Sequence, residues 1–189
     1  MPSQVAPGFL VAAPTLLDPN FNKSVVLLID HRKEGSLGFI VNRPANVSFK
    51  GVADELGLSA PGKPLPDLPV LVGGPVAPHT GWIVFDPAGK PVTAEGTITV
   101  TDHLRVSASR ELLKNIAQSR DAARHMLVLG YAGWGAGQLD AEIKQGVWIP
   151  VDLDEKIIFE TPYQNRWTAA LAALGIDPMQ LVSTFVAEA

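Results

Sequence analysis

Two polar side chains and two glycines stand at the ends of apolar runs in this sequence. Asn42 and Arg43 directly follow the run 37–41, and Gly73 and Gly74 follow another such run. Because the guanidinium group of arginine presents a planar fork of donors, Arg43 is suited to bind a carboxylate or a phosphate bidentately. The alternative is that Arg43 caps the sheet by donating to loop carbonyl oxygens. All four residues are therefore candidate binding residues, with both roles open for Arg43.

A glycine-rich segment supplies two further candidate binding residues, Trp134 and Gly135. Residues 133–137 follow a predicted strand and precede a predicted helix, where free backbone N–H groups can hold a phosphate. A dinucleotide fingerprint needs a glycine where this chain has Gln138, and the segment lacks the lysine of a P-loop. The alternative is a tight turn in which Trp134 packs as an anchor. If this turn and the four residues above lie close together, they form one site for a small molecule or an anion.

No arrangement of catalytic or metal-binding residues stands out in the sequence. The chain has no cysteine, and no two histidines have a metal-ligand spacing such as i, i+4. His31 beside Asp30 and His103 beside Asp102 are candidates for an oriented base, with polar strand ends as the alternative. No Gly-x-Ser-x-Gly elbow marks a serine as a nucleophile. We expect no metal ion and no cofactor, leave the catalytic residues unassigned and favour a non-enzymatic protein.

The composition is that of one globular domain spanning residues 1–189. The 189 residues are 47% hydrophobic and 18% charged, which is enough apolar material for one substantial core. The net charge of −4 and the pI near 5.5 give no general attraction to phosphate backbones, so direct nucleic-acid binding is not expected. The N-terminal residues lack the basic region of a secretory signal, and no apolar stretch approaches the roughly 20 residues that cross a bilayer. We expect a cytoplasmic protein without a membrane segment.

The apolar pattern predicts strands interspersed with helices. Its centre is a β-hairpin whose runs 25–29 and 37–41 are uninterrupted, which indicates burial on both faces. Because the first strands come as hairpins, the pattern favours an α+β fold over a doubly wound parallel sheet. Further strands are predicted at 8–13, 70–72, 81–85, 97–101, 125–130, 147–151 and 156–159. Helices are predicted after the cap Ser48, over 107–119, from Gly137, from the cap Thr161 to Gly175, and after Asp177 with Leu181, Val182 and Phe185 on its apolar face.

Several motifs along the chain resemble the YqgE/AlgH family. They are Pro14-x-Leu16-x-Asp18-Pro19-Asn20-Phe21, Ser24-Val25-Val26, His31 with Gly35 and Gly38, Val41-Asn42-Arg43-Pro44, Gly73-Gly74-Pro75-Val76, Leu129-Gly130-Tyr131-Ala132-Gly133-Trp134, Gly137-Gln138-Leu139, Trp148, and Pro162 with Arg166-Trp167. The resemblance implies an α+β fold with a split, mostly antiparallel and partly barrel-like sheet surrounded by helices. It also implies an association with transcriptional regulation, because one bacterial member is linked to alginate production. The family assigns no catalytic residues, so none carry over. The chain departs from the family at Phe85-Asp86, where a Leu-His pair is common.

Three functional hypotheses follow. The first is an indirect transcriptional regulator that does not bind DNA and acts through an unknown protein or small-molecule partner, since the chain is acidic and shows no DNA-binding motif. The second is a small-molecule or anion-binding protein, with an enzyme as one form of it, whose site lies near Asn42, Arg43 and the glycine-rich turns. The third is self-association through exposed apolar surface. The sequence leaves the oligomeric state open.

Overall fold

A computed structural model describes residues 4–119 and 122–180 of the chain. Within these ranges, strands alternate with short helices. The strands are β1 (Gly8–Ala12), β2 (Val25–Arg32), β3 (Gly35–Ile40), β4 (Val70–Val72), β5 (Val76–Phe85), β6 (Thr97–Thr101), β7 (Leu104–Ser107), β8 (His125–Gly135) and β9 (Trp148–Val151). The helices are α1 (Phe49–Glu55), α2 (Arg110–Gln118), α3 (Gln138–Lys144), α4 (Glu155–Phe159) and α5 (Arg166–Ala172), with a 3-10 turn at Tyr163–Asn165.

The nine described strands form one curled, mostly antiparallel sheet of half-barrel shape. Their order is β6-β7-β5-β8-β3-β2-β1-β9, and β4 pairs in parallel with β8 off this path. Helices pack on the sheet, so the protein has the predicted single-domain α+β fold. None of the described helices has the length and apolar character that crossing a membrane requires.

The predicted hairpin lies in the middle of the sheet. Residues Val25 to Leu28 of β2 are fully buried, as are Phe39 and Ile40 of β3. The two strands extend further than the apolar runs, so that only residues 33–34 remain as the turn. A register shift between Leu28 and Asp30 bends β2 before its polar end. The continuous apolar runs therefore do correspond to strands covered on both faces.

Strand β8 joins the two halves of the sheet. Its first half pairs with β4 and β5, and its second half pairs with β3. At Gly130 the backbone has φ +72°, a conformation that glycine tolerates and that redirects the strand between its partners. The strand predicted over 125–130 was too short, because the glycines of residues 130–135 continue the ladder rather than forming a turn.

Three other sequence-based predictions needed correction. Residues 156–159 form helix α4, since the Asp154 side chain accepts a hydrogen bond from the Lys156 N–H at 3.0 Å and caps the helix. Thr161 is not the cap of α5; its hydroxyl donates to the Lys156 carbonyl at 3.2 Å. Strand β7 was not predicted at all; it ends at Ser107, where the helix was predicted to begin, and α2 starts only after the cap Ser109.

The helices cover apolar surface on both faces of the sheet. Helices α4 and α5 contribute Ile158, Trp167 and Leu171 to one core cluster, while α1 and α2 enclose a second around Ile83. Helix α3 covers a third cluster through Leu139. Burial of these side chains supplies most of the folding free energy. The helix predicted around Leu181, Val182 and Phe185 lies outside the described residues.

Candidate functional site

Asn42 connects the end of the hairpin to the preceding loop. Its side-chain Oδ1 accepts a hydrogen bond from the Val25 N–H at 2.8 Å, and its Nδ2 donates to the Lys23 carbonyl oxygen at 2.8 Å. The amide therefore satisfies one donor and one acceptor at the point where the chain enters β2. Asn42 fixes the main chain of Lys23 beside it.

Arg43 holds the same loop from the other side. Its Nη1 donates to the carbonyl oxygens of Pro19 and Asn20, and its Nη2 donates to that of Asn22 at 3.0 Å. Partial burial lowers the pKa of Arg43, and the nearby Asp18 carboxylate opposes that shift. Of the two roles left open by the sequence, these bonds are those of a guanidinium that caps the sheet by binding loop carbonyls.

A cavity of about 390 Å³ opens beside these two residues. Two of its lining residues are cationic, Lys23 and Arg43, and none is acidic. The ion pairs found among residues 4–119 and 122–180 do not include Lys23, whose Nζ lies 5.9 Å from the centre of the Trp167 ring. We call this cavity the cationic pocket. It is lined by Asn22, Lys23, Asn42, Arg43, Pro44, Tyr163, Gln164, Trp167 and Thr168.

Gly73 and Gly74 lie next to this region through the sheet. The carbonyl of Gly73 accepts from the Ile40 N–H at 2.7 Å, and the Gly73 N–H donates to the Leu129 carbonyl at 2.7 Å. A Cβ on Gly74 would lie 2.2 Å from the carbonyl carbon of Tyr131. The two glycines thus allow two backbone segments to cross at close range, and the backbone N–H and C=O of Gly73 are used within the fold.

Trp134 and Gly135 lie at the other end of β3. Trp134 is buried and donates its indole N–H to Oε2 of Glu142 at 2.9 Å. The N–H of Gly135 donates to the Gln138 side chain at 3.0 Å. The segment does lead from a strand into a helix, with Gly137 at φ +70° before α3, and Trp134 is its packed anchor.

The structure does not bring the six candidate residues together. Ser36 and Gly35, at the start of β3, pair with Trp134 and Gly135, whereas Asn42 follows the end of that strand. The expected convergence on one site is therefore not observed. Sequence patterns misplaced Trp134 because the strand predicted to end at residue 130 continues to residue 135. Of the six candidate residues, Asn42, Arg43 and the backbone of Gly73 lie near one another.

The cationic pocket also contains residues that the sequence did not single out. Lys23 comes from the loop before β2, and Tyr163, Gln164 and Thr168 come from the 3-10 turn and from α5. They are polar, exposed residues about 140 positions away from Lys23 in the chain. No short-range signal connects them, because the docking of α5 onto β1 and β2 creates the contact.

The histidines do not form the arrangements suggested by their sequence neighbours. Asp30 pairs with Arg32 at 2.8 Å, and His31 instead lies against Ser36 and Asp140. His103 lies 3.9 Å from Asp86 rather than beside a paired Asp102. Within the part of the chain that the structure describes, no three His, Asp or Glu residues are placed to hold a metal ion.

Comparison with known proteins identifies the family. A family model described as AlgH-like matches residues 9–179. The chain belongs to the AlgH-like family. A UPF0301 protein from Anaeromyxobacter dehalogenans strain 2CP-C is 44% identical over 181 residues, covering 94% of this chain and 91% of the relative. A UPF0301 protein from Paracoccus denitrificans is 38% identical over 180 residues, covering 95% and 94%.

Solved structures support the same assignment. The solution structure of AlgH from Pseudomonas aeruginosa has a TM-score of 0.75 to this chain, with 31% identity over 96% of this chain and 95% of AlgH. The crystal structure of protein DIP2367 from Corynebacterium diphtheriae has a TM-score of 0.64 at 22% identity, covering 85% and 82%, and shares the fold. The YqgE/AlgH resemblance is thus confirmed, and with it the α+β architecture.

Proposed function

We propose that this member of the AlgH-like family is a binding protein that recognises a small anion, a carboxylate or a phosphate, in the cationic pocket. The observation that carries the proposal is the charge of that cavity: Lys23 and Arg43 line it, and no carboxylate does. A cavity of about 390 Å³ has the size of a small-ligand site.

Lys23 is the residue expected to contact the anion directly. The Nη groups of Arg43 already donate to three carbonyl oxygens, so Arg43 contributes mainly its charge. Lys23 has an exposed side chain and a main chain fixed by Asn42, which places its ammonium group at the pocket with donors available. The Thr168 hydroxyl already donates to the Asn165 carbonyl at 3.0 Å, so it has no further proton to donate to an anion. The Gln164 amide at the same pocket offers further donors.

Thermal unfolding with inorganic phosphate and with citrate tests this site. A ligand that binds only the folded state at 100 times its Kd stabilises the protein by about 2.7 kcal/mol. We expect both wild type and the control Lys114→Gln to gain Tm with one of these anions relative to chloride at equal ionic strength. Lys23→Gln should lose that gain, and its Tm in chloride should fall only slightly through loss of the ammonium contact with the Trp167 ring. An equal response of Lys23→Gln and wild type would refute the site.

The regulatory association of the family fits a role through binding. We propose an indirect regulator in the cytoplasm, whose ligand or partner at the pocket, rather than DNA, carries the signal. The acidic net charge of −4 supports this version, because neutralisation of phosphates by Lys and Arg dominates DNA affinity. A fluorescence titration with promoter DNA at physiological salt tests it. Specific, salt-dependent DNA binding would overturn the indirect version and leave the anion test above unaffected.

A further inference from the structure

Ser36 and His31 form a hydrogen-bonded pair at the polar end of the hairpin. They are direct partners in the antiparallel pairing of β2 and β3, and Ser36 Oγ lies 2.7 Å from His31 Nδ1. Directly paired residues point to the same face of a sheet, so the contact follows from the register. That register is set by the short turn at residues 33–34.

Asp140 completes a chain of three polar groups. It lies on α3, more than one hundred residues later in the sequence, and its Oδ1 is 3.3 Å from His31 Nε2. An ionised carboxylate only accepts hydrogen bonds, so Asp140 favours the tautomer with the proton on Nε2. In that tautomer Nδ1 is unprotonated and accepts the Ser36 hydroxyl proton. The order serine, imidazole, carboxylate is that of an activated hydroxyl nucleophile.

The surroundings hold this arrangement in place and leave it open to solvent. The His31 side chain is 22% exposed and that of Asp140 is 56% exposed. Beside them, Trp134 pairs with Ser36 on the next strand and donates to Glu142 on α3, which fixes the helix that carries Asp140. The imidazole is therefore oriented from both of its nitrogens, and reagents reach it from the rim of the sheet.

We propose that Ser36 is a nucleophile for acyl transfer from small esters, with His31 as general base and Asp140 as the positioning residue. The Ser36 hydroxyl proton passes to His31 Nδ1 as Oγ bonds to the ester carbonyl carbon. The bond to the leaving alcohol then breaks, and that alcohol takes the proton from His31. Water repeats the sequence on the acyl-serine, releasing the carboxylic acid and restoring Ser36. Since the groups lie on an open rim, small and exposed ester groups are the substrate class.

A fluorophosphonate probe tests the nucleophile independently of any natural substrate. Attack by Ser36 Oγ expels fluoride and leaves a stable adduct, which peptide mass spectrometry locates. We expect one adduct on Ser36, and hydrolysis of p-nitrophenyl acetate above the rate of the Ser36→Ala variant. Because general bases contribute about 10²–10⁴-fold, His31→Gln should slow labelling at least about tenfold. The matched controls Ser59→Ala and His79→Gln should label as wild type does.

Variants of Asp140 separate a positioning role from a structural one. The amide in Asp140→Asn is uncharged and offers Nε2 a donor as well as an acceptor, so it no longer selects the tautomer with the proton on Nε2, and labelling should fall while the Tm stays close to that of wild type. Asp140→Glu should restore part of the labelling rate.

The proposal is overturned if Ser36 stays unlabelled while a known serine hydrolase is labelled in parallel. It is equally overturned if His31→Gln, folded by far-UV circular dichroism, labels at the wild-type rate. The site lies at the opposite end of β3 from the cationic pocket, so neither result bears on anion binding.

Discussion

Trp134 and Trp148 meet edge to face, with ring centroids 5.8 Å apart, and donate their indole N–H groups to the same oxygen of Glu142. Each N–H to Oε2 distance is 2.9 Å, and Gln138 Nε2 donates to the other carboxylate oxygen at 2.9 Å. One side chain of α3 thereby joins strands β8 and β9, which lie far apart in the order of the sheet. This carboxylate determines how α3 sits on the sheet.

Replacement of Glu142 should destabilise the protein more than an ordinary surface change. Glu142→Ala leaves two indole N–H groups without their acceptor, and each unsatisfied buried donor costs about 1–3 kcal/mol, so we expect a loss of about 3 kcal/mol in urea unfolding. Glu142→Gln keeps one carbonyl oxygen and should lose less. Glu95→Ala, in an exposed turn, is the control and should stay within about 0.5 kcal/mol of wild type. Equal stability of the two alanine variants would contradict this role.

Arg43 should be required for the order of the loop before β2. A lysine has a single ammonium group and cannot bind three carbonyl oxygens, so Arg43→Lys should lower the free energy of unfolding by about 1–2 kcal/mol. Hydrogen exchange of the Phe21 and Asn22 amides, both bonded to the Asp18 carbonyl, should become faster. The control is Arg32→Lys, since the Arg32 side chain is exposed and its guanidinium pairs with the Asp30 carboxylate at 2.8 Å rather than with loop carbonyls. Unchanged exchange in Arg43→Lys would exclude the capping role.

The sequence predicted the hairpin and the cap of α1 because both depend on local patterns. Continuous apolar runs are sufficient to predict the hairpin, and Ser48, three residues before Gly51, is sufficient to predict the cap. The strand prediction for residues 156–159 was wrong. Their β-branched side chains are typical of a strand, but the Asp154 cap makes the segment a helix. The predicted proximity of Asn42 and Trp134 was wrong because it assumed that β8 ends at residue 130, whereas the strand continues to Gly135.

The candidate sites were harder to predict than the fold. Each depends on a contact between distant parts of the chain: Lys23 with α5 in the cationic pocket, and His31 with Asp140 on α3. The Ser36–His31 contact is local, since the two-residue turn between Arg32 and Gly35 pairs these residues, but the predicted runs 25–29 and 37–41 left both of them outside the strands. Neighbouring residues instead suggested Asp30 as the partner of His31.

Gly130 should tolerate a side chain far less well than another glycine of the same conformation. Gly130 and Gly57 have φ +72° and φ +68°, so alanine is strained at both by about 1 kcal/mol. A Cβ on Gly130 would also lie 2.6 Å from the Gly74 carbonyl oxygen, whereas nothing lies within 4 Å of one on Gly57. We expect Gly130→Ala to lose about 1–3 kcal/mol more than Gly57→Ala in urea unfolding. Similar losses in both variants would show that the close approach of β8 to Gly74 does not restrict the side chain at position 130.

Arg166 should stabilise the fold by an amount that does not change with pH near neutrality. It is 8% exposed, donates to the carbonyl oxygens of Val41 and Thr161, and is absent from the ion pairs among the described residues. Burial lowers the pKa of Arg166 to about 10, so it stays a cation in both the folded and the unfolded state at lower pH. Arg166→Met keeps the volume but leaves both carbonyls unpaired, which should cost about 2–4 kcal/mol.

The pH dependence of that cost distinguishes a buried cation from a group that titrates near neutrality. Below a pKa of about 10 both states bind the Arg166 proton, so the stability difference between wild type and Arg166→Met should be constant from about pH 6 to about pH 9. Above that range the folded state releases the proton first. The unfolded state then binds more protons, and the contribution of Arg166 to the free energy of unfolding rises with pH until the unfolded pKa is passed.

Urea unfolding at three pH values, with the exposed Arg110→Met as control, measures this difference. A difference that already changes between pH 6 and pH 9 would mean that Arg166 is coupled to another titrating group.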